Sequence, residues 1–269
     1  MARLAWMTDI HLDMVIAEKR RELLEDTKRE ACDALLITGD IGEAQTIREY
    51  LIEFVERLKI PVYFILGNHD YYGGSIASVR AAIQQLCEEY EDLHWLPLVE
   101  IVELTPDTAL IGHGGWSDAG YGDFHNSTIT LNDYLQIQEL AVHGMDKYRL
   151  VQTLSELGEE AGAYLRHFLP LACAKYATVY VALHSPPFPE TAWYEGSTPD
   201  EANPYLPHFT CKAAGDALLA IAPQYPDTMI HVLCGHTHGD GETIIRANLR
   251  VQTGGAEYGE PCIKRIFTF

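Results

Sequence analysis

Apolar runs alternate with amphipathic segments along the first part of the chain. The short apolar runs at residues 3–8, 34–38 and 62–66 predict buried strands. Between them, residues 15–32 and 46–58 carry apolar side chains three and four positions apart, which predicts helices with one buried face. The β-α-β-α-β order favours a parallel sheet with right-handed crossovers.

The middle of the chain combines helices with short strands. Helical spacing predicts three helices, at residues 75–90, 131–142 and 147–176. Gly158 and Gly162 weaken the helical pattern of the last of these, which leaves a break at that point as an alternative to one continuous helix. Three short apolar runs predict an antiparallel meander, at residues 93–96, 99–104 and 108–112.

The last third of the chain returns to alternating strands and helices. Residues 178–183 and 229–234 predict strands on either side of a helix at 212–221. Three further runs near the C-terminus predict strands that close a second sheet, at residues 243–247, 249–253 and 263–269.

Two long segments show no periodic pattern. Residues 113–130 are rich in Gly, Asp, Ser and aromatic side chains, and residues 185–207 contain six prolines. Long loops in compact domains tend to be functional, so we expect both at the rim of a site. No Gly/Ser linker divides the chain, which predicts one domain over 1–269 with a helical insertion at 131–176.

Composition narrows the class of protein. The net charge of −20 argues against a nucleic-acid partner, because proteins bind nucleic acids through basic surfaces. It also argues against binding to an anionic membrane. None of the six cysteines forms a Cys-x-x-Cys pair, which indicates reduced thiols. A strand begins almost at the first residue, and no apolar run approaches the roughly 20 residues of a membrane span. We therefore expect a soluble, cytoplasmic protein.

Five of the predicted strands end in side chains that can bind a metal ion. These side chains are Asp9, His11, Asp40, Asn68, His184, His236 and His238. Ligands of open α/β sheets bind beyond the carboxyl ends of the strands, where all seven fall. Asp9 and His11 are two positions apart, so both can point to one side of an extended chain, and His236 and His238 repeat that spacing.

The chemistry of these donors predicts two metal ions. Nitrogen and oxygen donors without thiolate suit Zn, Mn or Fe better than Ca. Seven donors are too many for one tetrahedral ion and suit two ions that share a carboxylate. The negative charges of Asp9 and Asp40 leave a centre of two divalent ions with a net charge near +2, which attracts phosphate. Two ions roughly 3.5 Å apart can hold a phosphoryl group and lower the pKa of a water molecule between them.

Other residues near the strand ends are candidates for catalysis and recognition. His69 follows a donor directly and is expected to protonate a leaving group or to stabilise phosphoryl oxygens, with Asp70 as its orienting partner. His113 either reaches the edge of the site or packs on Trp116 as a loop histidine, and Tyr72 is expected to line the pocket. Trp193 and Tyr194 either stack on a base or form a small core within their loop.

These motifs resemble a known family. Asp9-x-His11, Gly39-Asp40, Gly67-Asn68-His69-Asp70, His184 and Gly235-His236-x-His238 are together similar to the five sequence blocks of the calcineurin-like metallophosphoesterases. The resemblance implies a four-layer αββα sandwich, an α/β fold with two mixed sheets flanked by helices. It also implies that Asp40 bridges two metal ions and that His69 is the catalytic histidine. One ion would take Asp9, His11, Asp40 and His238. The other would take Asp40, Asn68, His184 and His236.

The resemblance predicts a hydrolase of phosphate mono- or diesters that acts on a small molecule or nucleotide. The second block continues as Ile41-Gly42-Glu43 without an arginine, and the third ends in Asp70 instead of Glu, which argues against a Ser/Thr protein phosphatase. Ser185-Pro186-Pro187 resembles the small-molecule and cyclic-nucleotide members. The alternatives are a non-catalytic scaffold of the same fold that binds proteins, and a nuclease or protein phosphatase of the same family.

Overall fold

The computed structural model describes residues 1–269 and contains two sheets with helices on their outer faces. The strands are β1 (Arg3–Met7), β2 (Ala34–Thr38), β3 (Val62–Ile65), β4 (Leu93–Trp95), β5 (Val102–Thr105), β6 (Thr108–Gly112), β7 (Thr178–Ala182), β8 (Met229–Cys234), β9 (Gly241–Arg246), β10 (Leu249–Thr253) and β11 (Arg265–Thr268). The α-helices are α1 (Ala17–Arg29), α2 (Ile47–Leu58), α3 (Ile76–Glu89), α4 (Asp133–Gln136), α5 (Gln138–Ala141), α6 (Lys147–Cys173), α7 (Leu206–Phe209) and α8 (Lys212–Ile221).

Each sheet has a parallel centre and at least one antiparallel strand at its margin. The first sheet has the order β11-β1-β2-β3-β4, in which only β11 runs antiparallel to its neighbour. The second sheet has the order β5-β6-β7-β8-β10-β9, in which β5 and β9 are antiparallel. Both sheets are therefore mixed, and the ends of the parallel strands point to a common edge within each sheet.

Apolar side chains from the two sheets pack against each other and form the middle of the molecule. Trp6 and Leu36 of the first sheet belong to the same buried cluster as Leu110 and Tyr180 of the second. A second cluster joins the other face of the first sheet to α1, α2 and α3, and a third joins the second sheet to α6 and α8. The result is the four-layer arrangement of helices, sheet, sheet and helices that the resemblance implies.

The structure corrects several predicted elements. The run at 93–96 does not join a meander, because β4 pairs in parallel with β3 in the first sheet. The last strand, β11, also pairs in the first sheet instead of the second. The helix predicted at 131–142 is two short helices, α4 and α5. Helix α6 is continuous through Gly158 and Gly162.

The two aperiodic segments lie against one another. Residues 113–130 contain neither helix nor strand. Residues 185–207 contain a 3-10 turn at Pro189–Thr191, an isolated β-bridge between Tyr194 and Ser197, and the first residues of α7. The hydroxyl of Ser127 in the first segment donates to the carbonyl of Pro204 in the second. No helix of the chain is both long enough and apolar enough to cross a bilayer.

Candidate metal centre

The polar residues that follow five parallel strands meet where the two sheets end. Asp9 and His11 follow β1, Asp40 follows β2, and Asn68 follows β3. His184 follows β7, and His236 and His238 follow β8, so the second sheet contributes the remaining donors. The seven predicted donors therefore lie at one site that spans both sheets.

The first donor group consists of Asp9, His11, Asp40 and His238. One candidate ligand atom from each lies within 4.8 Å of the others. The Nε2 atoms of His11 and His238 are 3.1 Å apart. Oδ2 of Asp40 is 3.7 Å from Nε2 of His11, and Oδ1 of Asp9 is 3.6 Å from Nε2 of His238. This geometry suits a single divalent ion with nitrogen and carboxylate ligands.

The second donor group consists of Asp40, Asn68, His184 and His236. Oδ1 of Asn68 lies 3.0 Å from Nε2 of His184 and 2.9 Å from Nδ1 of His236. Nε2 of His184 is also 3.4 Å from Oδ1 of Asp40. Because the two oxygens of Asp40 face different donor groups, its carboxylate lies between them, as expected of a bridging ligand.

Backbone carbonyls hold the second group's histidines by their other ring nitrogens. Nδ1 of His184 lies 2.9 Å from the carbonyl oxygen of Thr38. Nε2 of His236 lies 2.9 Å from the carbonyl oxygen of His208 and 3.2 Å from Oγ of Ser117. When the ring is neutral, donation of its N–H to a carbonyl leaves the opposite nitrogen with a free electron pair, which is the usual state of a metal-binding histidine.

The electrostatics of the site call for a cation. Asp9 and Asp40 are 3% and 1% exposed, and neither has a lysine or arginine within ion-pair distance. Burial raises the pKa of Asp40, but His184 and His69 outweigh this effect, and the pKa is held well below its usual range. Burial would lower the pKa of His184, but the Asp40 carboxylate raises it to about 10.

Burial lowers the pKa of the His11 ring to about 4, which keeps that ring neutral. Three polar atoms beside the first donor group are buried without hydrogen-bond partners: Nδ1 of His11, Nδ1 of His69 and Oδ1 of Asp13. Unpaired buried polar atoms are costly, so they cluster where a function requires them. These features fit divalent metal ions at both donor groups.

Most of the donors have a left-handed backbone conformation that residues other than glycine rarely adopt. The φ angle is positive at Asp9 (49°), His11 (38°), Asp40 (52°), His236 (70°) and His238 (59°). Non-glycine residues in this region are strained, and such strain collects at functional sites. The tight turns after the strands direct these side chains to the site.

Two glycines allow the loops to approach the carboxylates. A Cβ on Gly67 would lie 2.2 Å from Oδ1 of Asp40, and one on Gly235 would lie 1.9 Å from Oδ2 of Asp9. No side chain fits at either position. The glycines of the third and fifth sequence blocks are therefore explained by contact with the metal-binding carboxylates.

His69 borders the first donor group. Its ring centroid is 4.4 Å from that of His11, and its other neighbour is the Tyr72 ring, stacked at 4.2 Å. Its backbone N–H donates to Oδ1 of Asp40. His69 is only half-buried, so its ring is accessible from the site.

Asp70 does not orient His69, which corrects the expectation from the sequence. Its carboxylate accepts hydrogen bonds from the backbone N–H groups of Ile41, Gly42 and Gly67. Burial and, to a smaller extent, the Asp40 carboxylate raise its pKa to about 8, although the three N–H donors act in the opposite direction. Asp70 therefore joins the loop after β2 to the loop after β3, and this stabilises the positions of the two donors in these loops, Asp40 and Asn68.

The two predicted recognition residues have different surroundings. The ring of His113 packs at 5.6 Å from that of Tyr164, its Nδ1 accepts from the N–H of Gly115, and it contacts none of the seven donors. Tyr72 is 4% exposed, with its ring stacked on His69. Neither side chain presents a free polar group to a substrate at the donor groups.

The loop aromatics form a small core. The ring of Tyr194 lies 5.4 Å from that of Tyr205 and 5.1 Å from that of Phe209. Trp193 packs against the backbone at Gly239 and Gly241. The second of the two interpretations drawn from the sequence therefore describes this loop.

Sequence reasoning missed Tyr258. Its ring centroid lies 4.7 Å from that of His11 and 4.8 Å from that of His238, and the residue is 52% exposed. It belongs to the loop that follows β10, and β10 is parallel to β8. The shared strand direction was the available signal, because it brings the end of β10 to the edge at which the donors lie.

Sequence reasoning also missed Asp133, at the start of α4. Its Oδ1 accepts hydrogen bonds from Nδ2 of Asn68 at 2.9 Å and from the hydroxyl of Tyr72 at 2.5 Å. No motif marks this residue, which lies 65 positions from Asn68 in the sequence.

Comparisons with known proteins agree with this architecture. The sequence model of the calcineurin-like phosphoesterases matches residues 2–240. No curated protein matches the chain in sequence. Among solved structures, a phosphopantetheinyl hydrolase from Mycobacterium tuberculosis aligns with a TM-score of 0.67 at 12% identity, over 96% of this chain and 90% of that one.

Two further structures are similar. A dimetal phosphatase from Danio rerio aligns with a TM-score of 0.58 at 13% identity, over 94% of this chain and 87% of that one. A purple acid phosphatase from yellow lupin aligns with a TM-score of 0.50 at 12% identity, over 97% of this chain and 44% of that one. At these identities the similarity shows the fold, and it confirms the predicted sandwich of two mixed sheets flanked by helices.

Proposed function

The chain belongs to the calcineurin-like phosphoesterase family, and from this premise we propose that it hydrolyses phosphate mono- or diesters with two divalent metal ions. The observation that carries the proposal is the position of Asp40, whose buried carboxylate lies between two groups of nitrogen and oxygen donors. A protein that used only its surface would gain nothing from such a buried and strained arrangement.

The two donor groups would each hold one ion. Their nitrogen and oxygen ligands, without a thiolate, favour Mn, Fe or Zn. A pair of such ions supplies positive charge to the phosphoryl oxygens and lowers the pKa of the attacking water. The protein contributes fixed ligands, because carbonyls orient His184 and His236 and because Asp70 holds two of the loops together.

His69 is the proposed acid of the reaction. It is half-buried beside the first donor group, and one face of its ring is covered by Tyr72. From this position it would give a proton to the departing oxygen of the ester or donate a hydrogen bond to the phosphoryl group. No carboxylate is hydrogen-bonded to its ring, so stacking holds it in place.

The substrate class is proposed to be a small organic phosphate or a nucleotide. Tyr258 presents a half-exposed aromatic ring beside the first donor group, where it would contact the organic part of an ester. The net charge of −20 disfavours a nucleic-acid polymer.

All six cysteines are unpaired, which supports the reducing environment of the cytoplasm as the site of action.

The test is reconstitution of metal-free protein with Mn, Fe or Zn, one metal at a time. Each form is assayed with p-nitrophenyl phosphate, bis-p-nitrophenyl phosphate, nucleoside monophosphates, cyclic nucleotides and a phosphopantetheinyl ester. We expect two ions per chain and turnover of at least one ester that is lost in the metal-free protein. Two bound ions without turnover of any ester would favour a scaffold, and turnover that is independent of metal would contradict the proposal.

A further inference from the structure

Asp133 is a buried carboxylate with no cationic partner. It is 3% exposed, and no lysine or arginine forms an ion pair with it. It is the first residue of α4, within the segment between the rim loop 113–130 and α6. Buried, unpaired carboxylates are uncommon, so the contacts of this one indicate why it is there.

The first contact is with a residue of the second donor group. Oδ1 of Asp133 accepts a hydrogen bond of 2.9 Å from Nδ2 of Asn68. An amide has one donor end and one acceptor end, so fixing Nδ2 on Asp133 leaves Oδ1 to face His184 and His236. If the amide were reversed, N–H groups would point to the place where an ion is expected.

The second contact leads to His69. The hydroxyl of Tyr72 donates to the same oxygen of Asp133 at 2.5 Å, and the Tyr72 ring stacks on His69. One carboxylate oxygen therefore anchors both a proposed metal ligand and the aromatic surface on which the proposed acid rests.

Asp133 itself has a firm support. Backbone hydrogen bonds join Gly73 to Gln136 and Gln138 to Gly74, on either side of the turn between α4 and α5. The carboxylate of Glu139 accepts from the N–H of Ile76, at the start of α3. The α4–α5 segment is thus attached to the chain just after His69, which fixes the position of Asp133.

We propose that Asp133 is a positioning residue that orients the Asn68 amide for the ion at the second donor group and holds Tyr72 beneath His69. The inference rests on the proposed function, because it assigns a role toward the same pair of ions. The helical segment after the rim loop would then carry a residue, Asp133, that stabilises the metal centre without itself binding an ion.

The test is a calorimetric titration of the metal-free full chain with Mn, which measures the affinity of each of the two ions separately. These affinities are compared between the wild type and its variants. We expect Asp133→Ala to weaken the ion at the second donor group by about 10- to 100-fold and to leave the first ion unchanged. Asp133→Asn keeps an acceptor oxygen for both partners and should restore the affinity to within about threefold. Asp118→Ala is the control, since that buried carboxylate binds only backbone N–H groups.

Circular dichroism and melting temperature establish that each variant is folded. If Asp133→Ala does not fold, Asp133→Ser, whose hydroxyl is too short to reach Asn68, replaces it. Unchanged affinity for both ions in a folded variant would overturn the inference, and so would an Asn variant as weak as the Ala variant. Because the readout is metal affinity, wild-type protein that binds two ions but hydrolyses no ester would contradict the proposed function and leave the role of Asp133 intact.

Discussion

The Nε2 atoms of His11 and His238 lie 3.1 Å apart, although 227 positions separate the two residues in the sequence. His11 is buried, and burial keeps its ring neutral by lowering its pKa to about 4. Two ring nitrogens at this distance repel unless a proton or a cation lies between them. The folded chain thus brings together donors that lie far apart in the unfolded chain, so we expect metal binding to be coupled to folding.

The shared carboxylate gives the first prediction. Asp40→Asn should lose both ions, because it removes the negative charge shared by the two donor groups and replaces one of the two oxygen ligands with an amide nitrogen. Metal content by mass spectrometry should fall from two ions per chain to less than one. Asp118→Asn, which neutralises a buried carboxylate that accepts hydrogen bonds from backbone N–H groups and belongs to neither donor group, should keep both ions. Two retained ions in the Asp40 variant would exclude a bridging role.

The second prediction separates metal binding from proton transfer. His69→Ala should retain both ions, because its ring belongs to neither donor group, and kcat should fall by about 10²–10⁴. Steady-state kinetics with p-nitrophenyl phosphate measure the loss, and the exposed His125→Ala is the control. An unchanged kcat in the His69 variant would remove the residue from the chemistry.

The sequence predicts that the seven side chains come together because the relevant information is local. Each of them follows an apolar run by one to four positions, and parallel strands bring such positions to one edge. Asp9 and Asp40, for example, are identified without any knowledge of distant contacts. The glycines before Asp40 and Asn68 mark the same turns.

The errors arise where the information is not local. The three-residue strand β4 pairs with β3 instead of β5, and a short apolar run does not encode its partner. Adjacency in the sequence pairs Asp70 with His69, but the partners of the Asp70 carboxylate are backbone N–H groups, which leave no mark on the sequence. Asp133 and Tyr258 reach the site through contacts across tens or hundreds of positions.

The third prediction concerns the substrate's organic group. Tyr258→Ala should raise KM for p-nitrophenyl phosphate about 2- to 10-fold through loss of an aromatic contact, and Tyr258→Phe should keep KM within about twofold. Both should retain two ions. Tyr148→Ala, which removes a tyrosine 78% exposed on α6, is the matched control. An unchanged KM in Tyr258→Ala would show that the ring does not contact the ester.

The fourth prediction tests the close approach of a loop to the bridging carboxylate. Gly67→Ala places a Cβ 2.2 Å from Oδ1 of Asp40, so that carboxylate must move. We expect a loss of about 1–3 kcal/mol in the free energy of unfolding and weaker binding of both ions. At Gly158, within α6, a Cβ would lie 2.4 Å from Cβ of Asp118, which belongs to neither donor group. Gly158→Ala should therefore destabilise the protein without loss of metal, and metal loss in both variants would point to unfolding alone.

The fifth prediction is a pH dependence of stability that originates at His208. This buried ring lies 2.6 Å from the hydroxyl of Tyr134 and 2.9 Å from that of Ser127. Burial lowers its pKa from 6.5 to about 4, and the nearby charges of Lys147 and His236 act in the same direction. The unfolded chain therefore binds a proton that the folded chain excludes between pH 6.5 and 4, so this contribution to stability is complete above pH 6.5 and is lost as the pH falls to 4.

Denaturant unfolding in the presence of a chelator measures this effect without interference from metal release. The wild-type free energy of unfolding should drop across that pH range, with a share on the order of 3 kcal/mol from His208. His208→Gln, which can still bond to both hydroxyls, should lose this share and give a flatter curve, with the exposed His167→Gln as control. Parallel curves for wild type and His208→Gln would contradict the assignment, because they would mean that the proton is taken up elsewhere.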